Sequence, residues 1–401
     1  MSRVLYVSQY FVSADQPGGV RHWQHTRALA RAGHEVTVVS SYVQHKEREI
    51  PERYRGRKIV REREDGIDMV RTYATPDYGV DMRSRGLNYL TFAFWSMLAA
   101  ARSSSPDVVV ASSPTLPAAA AAAELARLRG ARFILEVRDL WPESILAMNL
   151  DAPSWAISAA ARMARHCYGR ADRIIALTEG IRDGLLDAGV PAGRIHLITN
   201  GVDLDIASDP QPVQIAGDDF VAMYVGAHGT YNALHTVLGA AELLRDGPGV
   251  SFVLVGGGDQ KDRLVEDAER RGLGNVQFID AVPKREVPSW LARADACLLP
   301  YQDVPLFAGA LPNKTFDYLG AGKPIVAAAP DGELTRLVRE VDCGIAIAPE
   351  DPQAMADAVT RLAADPAQAR AMGERGMRHA REHYDRAKLA QRFVAVVESV
   401  A

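Results

Sequence analysis

Short apolar runs rich in β-branched residues recur along the chain, and segments of helical composition separate them. Strands that read as unbroken apolar runs are buried on both faces, and their alternation with helices implies a parallel, doubly wound sheet. Six such strands are expected in the first half, at Val4–Ser8, Glu35–Ser40, Asp107–Ala111, Arg132–Val137, Arg173–Leu177 and Arg194–Ile198. Helical stretches such as Val20–Arg31 and Ile181–Ala188 lie between them. Six more strands follow, at Val221–Val225, Ser251–Val255, Val276–Ile279, Ala296–Leu299, Ile325–Ala328 and Gly344–Ile347. The repeat of one pattern fits the length, since 401 residues favour two domains at about 150 residues each. A seam falls near Asn200-Gly201-Val202-Asp203, ahead of the Pro- and Gln-containing stretch 209–218. The expected division is 1–203, 204–382 and a C-terminal segment 383–401, in which Tyr384–Val400 reads as an amphipathic helix.

Composition narrows the classes. A hydrophobic share of 48% excludes a mainly disordered chain. The 46 Lys and Arg against 50 Asp and Glu leave a net charge of −4, which argues against a general nucleic-acid binder but not against local basic pockets. The three cysteines, Cys167, Cys297 and Cys343, are widely spaced and odd in number, so they give no disulfide framework and no zinc pattern. That favours a reducing cytoplasm. The longest apolar-looking stretch, Leu116–Ala126, is mostly alanine and shorter than the about 20 residues a bilayer needs. The N-terminus reads as a strand and not as a signal peptide. A soluble cytoplasmic protein is expected, with peripheral contact at an inner membrane face left open. One stretch, His45–Asp65, is dense in charges of both signs. It reads as a solvated excursion or a mobile loop, or else as a basic flap over an anionic substrate or a membrane surface.

In doubly wound sheets, ligands bind at the carboxyl ends of strands, so the loops after the strands are the places to search. After the first strand come Gly18-Gly19-Val20 and a helix, where backbone can approach a phosphate, unless the pair only makes a tight turn. Glu136-Val137-Arg138-Asp139 closes another strand. Arg138 suits a phosphate or sugar hydroxyls, and Asp139 suits hydroxyls or the orientation of Arg138. The plain alternative is a Glu–Arg–Asp network that ties the loop down. Gly226-Ala227-His228-Gly229 opens the second half in the same way, with His228 as a donor to phosphate or as an exposed loop residue. Val255-Gly256-Gly257-Gly258 lacks the spacing of a nicotinamide-cofactor fingerprint. The densest signal runs from Leu311 through Asn313, Lys314 and Asp317 to Gly322-Lys323-Pro324. Lys314 and Asp317 share a helix face, offering a cation for a diphosphate and a carboxylate for ribose hydroxyls, or else an ordinary surface ion pair.

Together these motifs resemble the retaining glycosyltransferases of family 4, over nearly the whole chain. The likeness rests on Gly18-Gly19-Val20, Ala32-Gly33-His34-Glu35-Val36, Asn200-Gly201-Val202-Asp203, Tyr224-Val225-Gly226, the 255–258 glycine run and Pro312-Asn313-Lys314 with Asp317-Tyr318 and Gly322-Lys323-Pro324. The Glu136–Ser144 phrase and the Ala227-His228-Gly229 loop look most like the bacterial fucosamine and polysaccharide transferases. The resemblance implies the GT-B fold, an α/β arrangement of two Rossmann-like domains facing across a cleft. It implies a nucleotide-sugar donor in the second domain, UDP-linked in the family's commonest form. It implies a small-molecule or lipid-linked glycan acceptor in the first domain, and no metal or other cofactor. Asp317 falls on the second carboxylate of the family's Glu-x7-Glu motif, expected at the ribose. Lys314 and the Gly226–Gly229 loop would face the diphosphate, with Leu311 and Asn313 beside them and Val282 near the base. Gly18 and Gly19 would approach the distal phosphate. Arg138 falls where many members carry a histidine near the transferred sugar. Arg138, Asp139, His228 and Lys314 are thus the expected catalytic set, and the last helix would cross back to the first domain. The family's picture is attack from the leaving-group face, with the leaving phosphate helping to deprotonate the acceptor.

Three departures stand out. Gly309 replaces the first motif glutamate, which leaves the sugar open. Asp317 is one methylene shorter than the usual glutamate. The Arg and Lys pair expected after the first strand of the second domain is missing, and His228 and Asn232 lie in that region. Two other readings follow, a partner subunit that binds sugar nucleotides without catalysis and a nucleotide-sugar epimerase of the same architecture.

Overall fold

The computed structural model describes residues 1–12, 20–43, 49–76, 82–147, 153–204, 211–215, 219–247 and 249–401. The chain forms two compact units, one of residues 1–12, 20–199 and 388–401, the other of residues 200–387. Each is a sheet with helices, as the alternation of apolar runs requires.

The first unit holds eight strands: β1 (Arg3–Val7), β2 (Glu35–Ser41), β3 (Ile59–Glu64), β4 (Ile67–Thr72), β5 (Val108–Ser112), β6 (Arg132–Val137), β7 (Arg173–Ala176) and β8 (Ile195–Leu197). Their order is β3-β4-β2-β1-β5-β6-β7-β8, and every pair is parallel except β3 with β4. Fully buried runs such as Val108-Val109-Val110 explain why the sheet is covered on both faces. The second unit holds β9 (Phe220–Val225), β10 (Val250–Val255), β11 (Val276–Ile279), β12 (Ala296–Pro300), β13 (Ile325–Ala328) and β14 (Gly344–Ile347). Their order is β11-β10-β9-β12-β13-β14, parallel throughout. In each unit the connection reverses direction beside the first strand, between β1 and β5 and between β9 and β12. Such a switch point is where open sheets of this kind bind ligands.

The charged stretch 45–65 needs correcting. Residues 45–48 lie outside the described residues, but Ile59–Glu64 is a strand and not a solvated excursion. It pairs antiparallel with β4 through a two-residue turn at Asp65-Gly66, whose φ angles of 50° and 81° are the positive values a tight hairpin demands. As an edge strand it alternates exposed and half-buried residues, and its charges blunt the free edge.

The helix Arg386–Glu398 returns the chain to the first unit. Phe393 is fully buried there, stacked on His25 with ring centroids 4.1 Å apart and tilted against Tyr6 at 6.2 Å. Arg392 donates to the Leu197 carbonyl at 2.8 Å. The three cysteines are buried free thiols, and no described helix is long and apolar enough to cross a membrane.

Candidate functional site

In the second unit, four loops and one helix meet at the carboxyl ends of β9 to β12. The loop after β9 is clamped by the one after β10. The amides of Gly226 and His228 donate to the carbonyls of Val255 and Gly257, both at 2.9 Å, and the His228 carbonyl accepts from the amide of Gln260 at 3.0 Å. The Gly226 amide is therefore engaged inside the fold, which corrects the expectation that this glycine presents its N–H to a phosphate. Its small size has another use, because a Cβ there would sit 3.3 Å from the Lys314 Nζ. Gly256, at φ +152°, is placed so that a Cβ would fall 1.8 Å from the Gly226 carbonyl oxygen. Gly256→Ala is thus expected to destabilise the second unit by about 1–3 kcal/mol from backbone strain alone. Thermal unfolding would check this, and an unchanged Tm would refute the clamp.

Lys314 lies in the first turn of the helix Asn313–Gly320. Its ammonium does not pair with Asp317. It donates to the Tyr224 hydroxyl at 2.8 Å and to Asn232 Oδ1 at 2.7 Å, 4.3 Å from the Tyr224 ring centroid and 5.6 Å from that of Tyr301. The Tyr224 hydroxyl proton goes to the Ala227 carbonyl at 2.6 Å, so its oxygen is free to accept from the lysine. No carboxylate within ion-pair distance balances Lys314 among the described residues. Burial pulls its ammonium down to about 7. Asp317 pairs instead with Lys284 at 2.5 Å.

His228 is fully buried, which removes the exposed-loop alternative. Both its ring nitrogens lack a partner among the described residues. Burial, with Lys261 and Lys314 adding to it, drives the imidazole down to about 4, so it is neutral. Lys261 itself is tied to the Gly256 and Ile279 carbonyls, both at 3.2 Å, and to Asp280 at 2.5 Å. Gly229 lies near Asn232 and Asp259. Leu311 is a core side chain, Val282 is half-buried against the same cluster, and Asn313 is exposed at the helix start.

Gly18 and Gly19 lie outside the described residues. Arg138 follows β6 and is half-buried. Its amide donates to Ser113 Oγ at 2.9 Å and its guanidinium reaches His22 Nε2 at 3.2 Å. Asp139 is exposed beside it, within electrostatic reach of the guanidinium but joined to it by no ion pair among the described residues. The Glu–Arg–Asp network weighed from the sequence is corrected too, because the fully buried Glu136 pairs with Arg21 at 2.6 Å and not with Arg138. Arg21 also donates to the carbonyls of Thr199 at 2.5 Å and Ile198 at 2.7 Å. Burial opposes the charge on Glu136, but Arg21, seconded by His22 and His25, outweighs it and holds the carboxyl well below its usual range. Sequence reading missed Lys284, Arg21 and His22. The last two sit on the helix Arg21–Arg31, directly after the glycine pair that drew attention.

Known proteins resemble this chain in sequence and fold. The family model described as glycosyl transferase 4-like domain matches residues 18–201, and that of glycosyl transferases group 1 matches residues 205–379. The putative colanic acid biosynthesis glycosyl transferase WcaI of Escherichia coli (strain K12) is 28% identical over 347 residues, covering 82% of this chain and 84% of that protein. The alpha-D-kanosaminyltransferase of Streptomyces kanamyceticus is 26% identical over 215 residues, 50% of this chain and 54% of that one. Among solved structures, sucrose-phosphate synthase from Thermosynechococcus elongatus superposes with a TM-score of 0.76 at 18% identity, covering 100% and 99% of the two chains. Anabaena HepE in complex with UDP superposes with a TM-score of 0.71 at 17% identity, covering 99% and 100%.

Proposed function

The chain belongs to the GT-B glycosyltransferases that join a 4-like domain to a group 1 domain, and on that premise we propose that it transfers a sugar from a UDP-linked donor to a hydroxyl acceptor with retention at the anomeric carbon. The observation that carries the reading is Lys314. A lysine held in a tyrosine-lined recess with no carboxylate within ion-pair distance among the described residues, its charge disfavoured by burial, is a site whose missing partner is an anion. A diphosphate supplies that partner, and its charge grows as the sugar leaves. A fixed donor aimed at such a charge is worth about 2.7–4 kcal/mol in the transition state. Asp317 serves the ribose hydroxyls, with Lys284 holding its carboxylate in place. The occurrence of UDP and UDP-glucose in structures of HepE supports uridine as the base. Gly309 stands where the family's first motif glutamate would meet the sugar, so the reading leaves the sugar as an N-acetylamino sugar or another hexose. The acceptor is a glycan or natural-product hydroxyl. The transfer is read as needing no metal, because Lys314 and the His228 imidazole, unpartnered among the described residues, meet the diphosphate charge.

The test is a thermal-shift and calorimetric screen of UDP, GDP, ADP, UDP-GlcNAc, UDP-glucose and nicotinamide dinucleotides, with Lys314→Ala and Asp317→Ala alongside. Stabilisation by UDP and one UDP-sugar, lost in both variants, is the expected result. If no nucleoside diphosphate binds, or both variants bind unchanged, the site is wrong. Binding without sugar transfer or donor hydrolysis would favour the non-catalytic subunit instead.

A further inference from the structure

Arg138 is held by something the transfer reading does not use. Its NH1 lies 3.2 Å from His22 Nε2. A guanidinium only donates, so Nε2 must accept, and the single proton of a neutral imidazole is then on Nδ1. On that side, Nδ1 is 2.7 Å from the Tyr6 hydroxyl oxygen and 3.3 Å from Glu136 Oε2. The Tyr6 hydroxyl in turn donates to Glu136 Oε2 at 3.4 Å. The opposite tautomer would set N–H against N–H at Arg138 and a lone pair against the carboxylate. Two contacts on opposite edges of the ring thus select the same proton position. Tyr6 and Glu136 are fully buried and His22 nearly so. Burial drives His22 down to about 3, so it stays neutral across the physiological range. The far end is anchored by the buried Arg21 on Glu136.

We infer that Glu136, Tyr6 and His22 form a hydrogen-bond relay of fixed direction that locks His22 as the Nδ1–H tautomer, and that His22 is the positioning residue that aims Arg138. Only one nitrogen of Arg138 is engaged by the relay. Its Nε is buried with no partner among the described residues, so the guanidinium keeps donors for an anionic or hydroxyl-bearing ligand. That ligand role rests on the transferase reading, whereas the relay itself does not.

The test is a two-bond proton–nitrogen correlation on the whole chain labelled with 15N-histidine, with the His22 signal assigned by its loss in His22→Gln. The expected signal is a neutral Nδ1–H imidazole, against the Nε2–H form that free imidazoles prefer, unchanged between pH 5 and pH 8. Tyr6→Phe, which keeps the ring and removes the hydroxyl, should leave the signal as Nδ1–H, because Arg138 and Glu136 still face the two edges of the ring. It should lower kcat by about three- to tenfold, the worth of one hydrogen bond, with KM for the donor unchanged. His22→Gln offers a carbonyl oxygen where Nε2 stood and should retain several-fold more kcat than His22→Leu, which offers none. An Nε2–H or protonated His22 in the wild-type chain, or equal losses in the glutamine and leucine variants, would overturn the relay. An Nδ1–H signal in a chain without transferase activity would leave the relay standing and overturn the functional reading alone.

Discussion

Lys314→Met is expected to lower kcat/KM for sugar transfer by about 10²–10³-fold while raising thermal stability, because one charge is both the donor to the leaving group and a burden on the fold. The sign follows from burial. The folded-state ammonium titrates at about 7. An unfolded lysine titrates near 10.4, so the unfolded chain binds more protons between those values and stability rises with pH across that window. Below pH 7 the whole penalty is present. At pH 6 the methionine variant should therefore be more stable by on the order of 1 kcal/mol, roughly 2–4 °C in Tm after the loss of the bonds to Tyr224 and Asn232. The gain should shrink as pH approaches 10. Nucleotide binding runs the other way. A diphosphate beside Nζ raises the lysine's pKa, so binding takes up protons above pH 7 and affinity falls by up to about tenfold per pH unit. Calorimetry of UDP binding from pH 7 to 9, in buffers of different ionisation heat, reads this directly. Equal proton uptake in wild type and variant would remove Lys314 from the diphosphate.

Glu136→Ala should destabilise the first unit by about 3–5 kcal/mol, since it strands the buried Arg21 guanidinium without its counter-charge. Arg21→Met should cost a similar amount, because it also frees the carbonyls of Ile198 and Thr199. The double variant should lose much less than the sum, as expected for a buried pair whose members are costly mainly when alone. The pair is also an acid sensor of predictable direction. The carboxyl is held below its unfolded value, so its contribution is complete above about pH 5 and is lost as pH falls from there towards the folded-state pKa. Urea unfolding at pH 7 and pH 3 would show the mutational loss shrinking at the lower pH. A loss independent of pH would mean that the carboxylate is not what Arg21 stabilises.

Much of the fold was legible because the twelve strands expected from sequence are apolar runs, most of them buried on both faces, where composition and position carry the same message; only the outer strands Ile195–Leu197, Val276–Ile279 and Gly344–Ile347 are half-buried. The two strands that escaped form the hairpin Ile59–Thr72. β3 is an edge strand with charges on its open face, so it reads as solvated chain, and the Asp65-Gly66 turn was the signal that would have found it. The candidate site was partly legible for the same reason that motifs work: Lys314 and Asp317 lie three residues apart on one short helix, so that spacing could single them out. Their partners are not local. Lys284 lies 33 residues from Asp317, and Arg21 lies 115 residues from Glu136. No spacing rule spans such distances, so sequence could offer Lys314 with Asp317 or Arg138 with Asp139 as pairs, and in both cases the chain chose a partner from another strand end or helix. His228 illustrates a further limit, since a histidine in a glycine-rich loop looks exposed until the second glycine run closes over it.

The segment 388–401 that completes the first unit leaves the ribosome only after the whole of the second has been made. While the nascent chain grows, the surface of His25 and the ring of Tyr6 have no Phe393 to cover them, and the apolar patch stays open to chaperones and to neighbouring nascent chains. The unit that begins first is thus sealed last. Synthesis time, as much as contact energy, sets how long its core remains exposed, and slowing translation within residues 200–387 lengthens that interval without altering a single side chain.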